Sequence, residues 1–146
     1  MRSLHDQTFR SDLERRLSNL PHDAQRKWGK MSVDQMLWHV NLALDTALGR
    51  MSFPPEKPPI PRALLKFIVM NLPWPKGAPT MAAFVAKERY DFETERARSL
   101  KLIEVFAAKP LEDSWPPSPV LGRMSGNDAS RLHAKHLDHH LRQFGV

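Results

Sequence analysis

The spacing of apolar residues along the chain predicts four long helices separated by polar and proline-containing connections. They run from Gln7 to Asn19, from Ser32 to about Gly49, from about Asp91 to Ala108 and from Ser125 to Phe144. Serine or aspartate stands at the start of the last three, where such residues cap helices, and glycine ends two of them. The apolar stretch Arg62 to Leu72 predicts one further short helix. The segment Phe84-Val85-Ala86 is compatible with either a helical or an extended conformation.

Proline organises the rest of the chain, because it disrupts helix interiors. Thirteen prolines are present, and twelve of them form three clusters, within residues 54–61, 73–79 and 110–119. The connection between the second and third long helices covers residues 50–90, which is long enough for a crossover. The pattern therefore predicts an all-α protein, a four-helix bundle with long proline-rich connections that forms a single domain over residues 1–146.

Composition excludes several functional classes. The absence of cysteine excludes disulfides, thiolate metal sites and a cysteine nucleophile. Because the most apolar stretch, Ala63 to Leu72, is too short to span a bilayer and no export signal precedes it, we expect a cytoplasmic protein without a membrane partner. A net charge of +6 is compatible with nucleic-acid binding. Basic and acidic residues are interspersed, however, so a solvated surface is favoured over a nucleic-acid partner.

The most distinctive chemistry lies in the last predicted helix. Four of the seven histidines fall within eight residues. At about 100° per residue, His136, His140 and His133 border the buried face, whereas His139 turns towards the charged face. Two imidazoles four residues apart can point at one ion. Spacing alone leaves His136 and His140 equally compatible with metal binding and with ordinary hydrogen bonding.

The second predicted helix carries a single histidine, His39, at the margin of its apolar arc. Asp34, Asn41 and Asp45 fall on the opposite side of this helix. A lone histidine at such a margin is more often hydrogen-bonded within the fold than bound to a metal. A third imidazole from a facing helix would nevertheless complete a set of three ligands, the arrangement of catalytic zinc sites with an open position for water. Imidazole also suits nickel, iron and copper.

The remaining histidines and the tryptophans have structural interpretations. His5 and His22 lie in polar sequence, so we expect both to be exposed to solvent. The four tryptophans are interpreted as packing and loop anchors: Trp28, Trp38, Trp74 and Trp115.

Three segments resemble one known superfamily. KHLDHHLRQFG, Lys135 to Gly145, resembles the last helix of the DinB-like (damage-inducible) metal-binding four-helix bundle proteins. The first and third histidines of that motif bind metal in the superfamily, which implies His136 and His140 as ligands here. WGKMSVDQMLWHV resembles the stretch that ends in the remaining ligand, which implies His39. SPVLGRMSGNDASRLHAKH is similar to the corresponding segment of an uncharacterised subfamily.

The resemblance also implies an up-down-down-up order of helices, a divalent ion, most commonly zinc or nickel, and a homodimer. It implies a small-molecule substrate or a low-molecular-weight thiol, and hence a metal-dependent thiol S-transferase or related hydrolase. The alternative is a non-enzymatic module that binds a metal or a small ligand in a regulatory role, and the sequence does not decide whether the protein is an enzyme. No catalytic residue stands out beyond the metal ligands. Gln35, Thr46 and Gln143 are candidates for hydrogen bonds to those ligands. We expect the open metal position to face apolar side chains of the second and last long helices.

Overall fold

The computed structural model describes residues 2–146 and is all-α. Its helices are α1 (Gln7–Asn19), α2 (Val33–Ala47), α3 (Arg62–Asn71), α4 (Phe92–Ala108) and α5 (Gly126–Gln143), with one turn of 3₁₀ helix at Ala82–Phe84. All five predicted helices are therefore confirmed, with boundaries that differ by one or two residues at most. Residues 2–146 contain no β-strand beyond one isolated bridge between Ser118 and Gly122. They also contain no helix with the length and apolar character needed to cross a membrane.

Local side-chain chemistry begins and ends the helices as the sequence indicated. The Ser125 hydroxyl accepts the Asp128 N–H at 3.1 Å, and the Asp128 carboxylate accepts the Ser125 N–H at 3.3 Å. This reciprocal pair is the capping box expected at the start of α5. After α2 the chain turns at Gly49, whose φ of +78° lies in the left-handed region that favours glycine. None of the thirteen prolines lies within a helix.

The four long helices contact one another in a closed cycle, in which α1 meets α4, α4 meets α2, α2 meets α5, and α5 meets α1. The contact between α2 and α4 is the most extensive. Each long helix contributes to one shared cluster of buried apolar side chains, which includes Leu13, Leu37, Leu102 and Leu137. The short helix α3 contacts α5, and none of its residues is buried.

The segment before α1 is fastened to α5 and to the end of α4. Leu4 is fully buried, and its N–H donates to the Ser130 carbonyl at 3.2 Å. The neighbouring His5 ring donates to the Lys109 carbonyl at 2.8 Å and contacts the Ser130 hydroxyl at 2.8 Å. The expectation that His5 is exposed was wrong, because burial of Leu4 draws its neighbour into the fold. The expectation for His22 is confirmed.

Helix α2 is buried around nearly its whole circumference. Asp34, Asn41 and Asp45, which fall opposite the apolar arc, are 3%, 0% and 3% exposed. The Asn41 amide donates to the Glu95 carboxylate at 2.8 Å, and Asp45 forms an ion pair with Arg98. These partners belong to α4, so the pattern of α2 alone could not reveal them. The polar side of α2 is therefore an interface with α4.

Asp34 anchors the start of this interface to the segment that leads into α4. Arg89 donates to both carboxylate oxygens of Asp34 at 3.0 Å, and the Tyr90 N–H donates at 2.8 Å. Burial alone would raise the pKa of Asp34, but these hydrogen bonds hold it well below its ordinary value. A pKa that is lower in the folded than in the unfolded state means that Asp34 stabilises the fold at neutral pH. This contribution is lost as the pH falls through the acidic range.

We expect Asp34→Asn to lower the free energy of unfolding by about 1–3 kcal/mol at pH 7, because hydrogen bonds to a charged group contribute roughly that much. The difference from wild type should shrink between about pH 5 and about pH 2, where the wild-type carboxylate loses its advantage. Urea unfolding at several pH values measures both effects. Glu112→Gln, at an exposed carboxylate, is the control. A difference independent of pH would contradict the ion pair.

Candidate metal centre

Three histidine side chains from two helices converge between α2 and α5. His39 extends from α2, and His136 and His140 extend from successive turns of α5. The Nε2 atom of His136 lies 2.9 Å from Nε2 of His39 and 3.1 Å from Nε2 of His140. This triad is the one group of three or more potential metal-ligating side chains found in residues 2–146, with its ligand atoms within 4.8 Å of one another. The structure thus brings together the three residues that the sequence indicated.

A hydrogen bond on the far side of the His39 ring fixes which nitrogen carries the proton. Its Nδ1 lies 2.8 Å from the Phe84 carbonyl oxygen, which can only accept. The proton of the neutral ring is therefore on Nδ1, and Nε2 presents a lone pair to the centre of the triad.

The same logic applies to His140, through a side chain rather than the backbone. Its Nδ1 lies 2.7 Å from Oε1 of Gln143. The amide nitrogen of Gln143 donates to the Trp28 carbonyl at 2.9 Å, which orients the amide so that Oε1 accepts from His140. In a neutral His140 the Nε2 atom also presents a lone pair.

Two bare lone pairs therefore face the third imidazole. His136 can supply at most one proton at Nε2, so the three converging nitrogens share at most one N–H among them. A cation placed between them would accept all three lone pairs at once. Three neutral imidazoles held by outer hydrogen bonds are a donor set typical of a divalent ion such as zinc. The residues present thus fit a metal ion.

Burial keeps the triad neutral. It lowers the pKa of His140 to about 3 and lowers the pKa of His39 as well. The pKa of His136 is far below its ordinary value, first through burial and then through the nearby His140 and His39. Because all three pKa values are lowered, the lone pairs are available at neutral pH.

Two further histidines of α5 lie beside the triad without joining it. His133 packs against Phe106 at 5.6 Å between ring centroids, and its buried Nδ1 has no hydrogen-bond partner. His139 lies 5.6 Å from the Trp28 ring and 5.5 Å from the Trp74 ring. The sequence pattern turned His139 towards the charged face of α5. The structure shows that tryptophans from two connections cover this part of the helix.

Of the three candidates for supporting hydrogen bonds, Gln143 takes that role and two do not. Gln35 instead accepts a backbone N–H at the start of α2, and Thr46 donates to a carbonyl of its own helix. The partner of His39, the carbonyl of Phe84, was missed. Every residue has a carbonyl, so the sequence carries no signal for which one accepts this proton.

Aromatic side chains of the connection between α2 and α4 cover the triad. The Phe84 ring meets His39 edge-on at 6.3 Å, and the Trp74 ring lies 5.9 Å from that of His136. From the sequence, apolar side chains of the helices themselves were expected around the open metal position. These aromatic neighbours instead come from the proline-rich connection, whose path is set by tertiary contacts.

In the metal-free protein at pH 7, we expect His39 and His140 to carry their proton on Nδ1. Long-range ¹H–¹⁵N NMR distinguishes this tautomer from the Nε2–H form. Gln143→Leu removes the acceptor of His140 alone, so the variant should alter the tautomer population of His140 and leave His39 unchanged. An Nε2–H tautomer of His39 in the wild-type protein would contradict the hydrogen bond to Phe84.

Comparison with known protein families agrees with this geometry. The family model of the DinB superfamily matches residues 5–144. Neither the curated proteins nor the solved structures give a match. The superfamily is metal-binding, and the histidine triad of this chain can hold a metal. Since the match covers nearly the whole chain, the chain belongs to the DinB superfamily.

Proposed function

We propose that His39, His136 and His140 hold one divalent metal ion. The observation that carries the proposal is the convergence of three Nε2 atoms, two of them with fixed lone pairs. Ordinary core histidines pair each acceptor with a donor, whereas here two acceptor nitrogens face a third imidazole that has at most one proton to donate. A divalent cation is the ligand that resolves such an arrangement.

We propose zinc or nickel as the ion, because an all-imidazole donor set suits both. Structural zinc sites are closed by four protein ligands, whereas catalytic sites keep a position open. The triad supplies three protein ligands, and this number favours a site that accepts an outside ligand over a purely structural one. When bound, such an ion lowers the pKa of a coordinated water or thiol and acts as a Lewis acid.

For the reaction, we propose thiol S-transfer or a related hydrolysis on a small molecule. The roles of the chain's own residues follow from their contacts. The Phe84 carbonyl and the Gln143 amide orient His39 and His140 by holding their Nδ1 protons. The rings of Phe84 and Trp74 exclude water from one side of the triad. The alternative, a metal-dependent binding module without catalysis, is separated from the enzyme by the experiments below.

We propose the architecture of the DinB bundle for the cycle of four long helices, with up-down-down-up order and a single domain over residues 1–146. The buried cluster shared by all four long helices supports this proposal. The connection between α2 and α4 is long enough to run from one end of a bundle to the other.

Metal analysis of the purified protein tests the site. We expect about one equivalent of bound zinc or nickel in the wild type, and His136→Ala and His140→Ala should each bind it at least about 100-fold more weakly, because a ligand is lost. His139→Ala is the matched control, since its ring touches His140 but lies outside the triad. Unchanged metal content in both triad variants would exclude this site. Loss of metal in the control alone would reassign the ligand.

Cobalt substitution tests the reaction. Low-molecular-weight thiols should shift the visible spectrum of the cobalt-loaded protein, because a thiol that reaches the ion changes its ligand field. With a panel of electrophiles, thiol consumption should exceed that of the His140→Ala protein. A spectral shift without thiol consumption would favour the binding module. Failure of every thiol to alter the spectrum would contradict S-transfer.

A further inference from the structure

The connection between α1 and α2 is fastened to the end of α5 at Gln143. The Lys27 N–H donates to the main-chain carbonyl of Gln143 at 2.7 Å, and the side-chain amide of Gln143 donates to the Trp28 carbonyl at 2.9 Å. Oε1 of the same side chain lies 2.7 Å from Nδ1 of His140 and accepts its proton. The Gln143 amide therefore joins this connection to the triad, although the connection supplies no member of the triad itself.

Gly29 lies directly against this amide. Its φ of +82° is in the left-handed region that favours glycine. A Cβ atom at this position would lie 2.6 Å from Nε2 of Gln143, whereas non-bonded atoms of this size pack about 3.5–4.0 Å apart. Apart from the chain neighbours of Gly29, Gln143 is the only one of residues 2–146 within 4 Å of that Cβ position. A side chain at residue 29 would therefore have to displace the amide.

The amide would yield to such a side chain before the backbone does. It is the end of a flexible side chain, and hydrogen bonds to Trp28 and His140 hold it in place. An amide that leaves the Trp28 carbonyl is no longer oriented, so its NH₂ group can turn towards His140. The ring would then accept at Nδ1 and carry its proton on Nε2, where the proton would occupy the lone pair that faces the centre of the triad.

We propose that Gly29 is a positioning residue of the triad. The absence of a Cβ atom lets the Gln143 amide lie between the Trp28 carbonyl and His140, and this placement holds the His140 proton on Nδ1. For its effect on metal binding, the proposal rests on the function proposed above. It adds that the connection between α1 and α2 is a structural part of the metal site and controls the affinity for the ion.

Two other glycines separate this role from backbone strain. Gly49 and Gly77 both have a φ of +78°, so alanine strains the backbone there much as it does at Gly29. A Cβ atom at Gly49 would come no closer than 3.4 Å to Pro116. Beyond the chain neighbours of Gly77, no atom of residues 2–146 lies within 4 Å of a Cβ placed there. Gly49→Ala and Gly77→Ala are therefore matched controls for Gly29→Ala.

The first test compares these variants with the wild type. In the metal-free proteins at pH 7, long-range ¹H–¹⁵N NMR should reveal an Nε2–H population of His140 in Gly29→Ala that the wild type lacks, with the His39 signals unchanged. Zinc affinity, measured by competition with a chelator, should fall about 10- to 100-fold, the range typical when a partner of a metal-binding histidine is lost. Gly49→Ala and Gly77→Ala should change neither the tautomer nor the affinity.

A double variant tests whether Gly29 acts through Gln143. Gln143→Ala removes the amide, so it should by itself lower zinc affinity about 10- to 100-fold. Because no amide is left to collide with, adding Gly29→Ala should cause no further loss of affinity, and it should lower the urea midpoint less than it does in the wild type. If Gly29→Ala alone does not fold, the double variant should fold. Failure of both to fold would assign Gly29 to backbone strain and overturn the proposal.

Three further results would overturn the inference. A wild-type tautomer and zinc affinity in Gly29→Ala would show that the amide does not depend on this glycine. An equal change in Gly49→Ala or Gly77→Ala would show a general effect of strain. Additive losses of affinity in the double variant would show that Gly29 acts independently of Gln143. If the wild-type protein binds neither zinc nor nickel, the proposed function fails, and the His140 tautomer of the metal-free variants still decides the role of Gly29.

Discussion

The histidine triad depends on one constraint, which is the fixed orientation of α2 about its own axis. Three polar side chains of this helix, Asp34, Asn41 and Asp45, are almost completely buried. A buried carboxylate without partners costs several kcal/mol, and a buried amide without hydrogen bonds is also unfavourable. Each side chain must therefore meet the groups that α4 and the segment before it provide. Only one orientation of α2 satisfies all three. Because His39 lies on the opposite side of the helix, the same orientation directs its imidazole towards α5.

The triad lies between two helices and brings together three imidazole nitrogens that share at most one N–H. His39 belongs to α2, whereas His136 and His140 belong to α5, so an ion bound between them would cross-link the two helices. The direct contact between α2 and α5 is less extensive than that between α2 and α4. An ion that bound only the folded protein would therefore stabilise the α2–α5 contact, where packing is less extensive. This stabilisation would grow with the free concentration of the ion.

The sequence predicted the helices well because their limits are set locally. Ser125 and Asp128 cap α5 through atoms three residues apart, and proline excludes helix wherever it clusters. The pairing of His136 with His140 is likewise a local property of helical spacing. The burial of His5 was not predictable in this way, since it follows from long-range contacts with Ser130 and Lys109.

The same distinction between local patterns and long-range contacts applies to the residues of the histidine triad and their partners. The choice of His39 as the third member required a resemblance, because no local pattern relates residue 39 to α5. The Phe84 carbonyl that orients His39 could not be predicted at all. Its position depends on the path of the connection between α2 and α4, and a backbone carbonyl has no sequence signature. Gln143 was identifiable because it lies one turn after His140 on the same helix.

The site is completed by a segment that contributes little to the core. Trp74 and Phe84 both belong to the connection between α2 and α4, whose helix α3 has no buried residue. Polar contacts attach this segment to α5, such as the hydrogen bonds from Lys135 to two carbonyls near the end of α3. Hydrogen bonds of this kind contribute about 1 kcal/mol each, far less than the shared apolar cluster of the four long helices. Displacing the connection would therefore expose little of that cluster. The three imidazoles are thus positioned by the stable helices, and the shape around them is set by the part of the connection up to Phe84, which contributes little to the core.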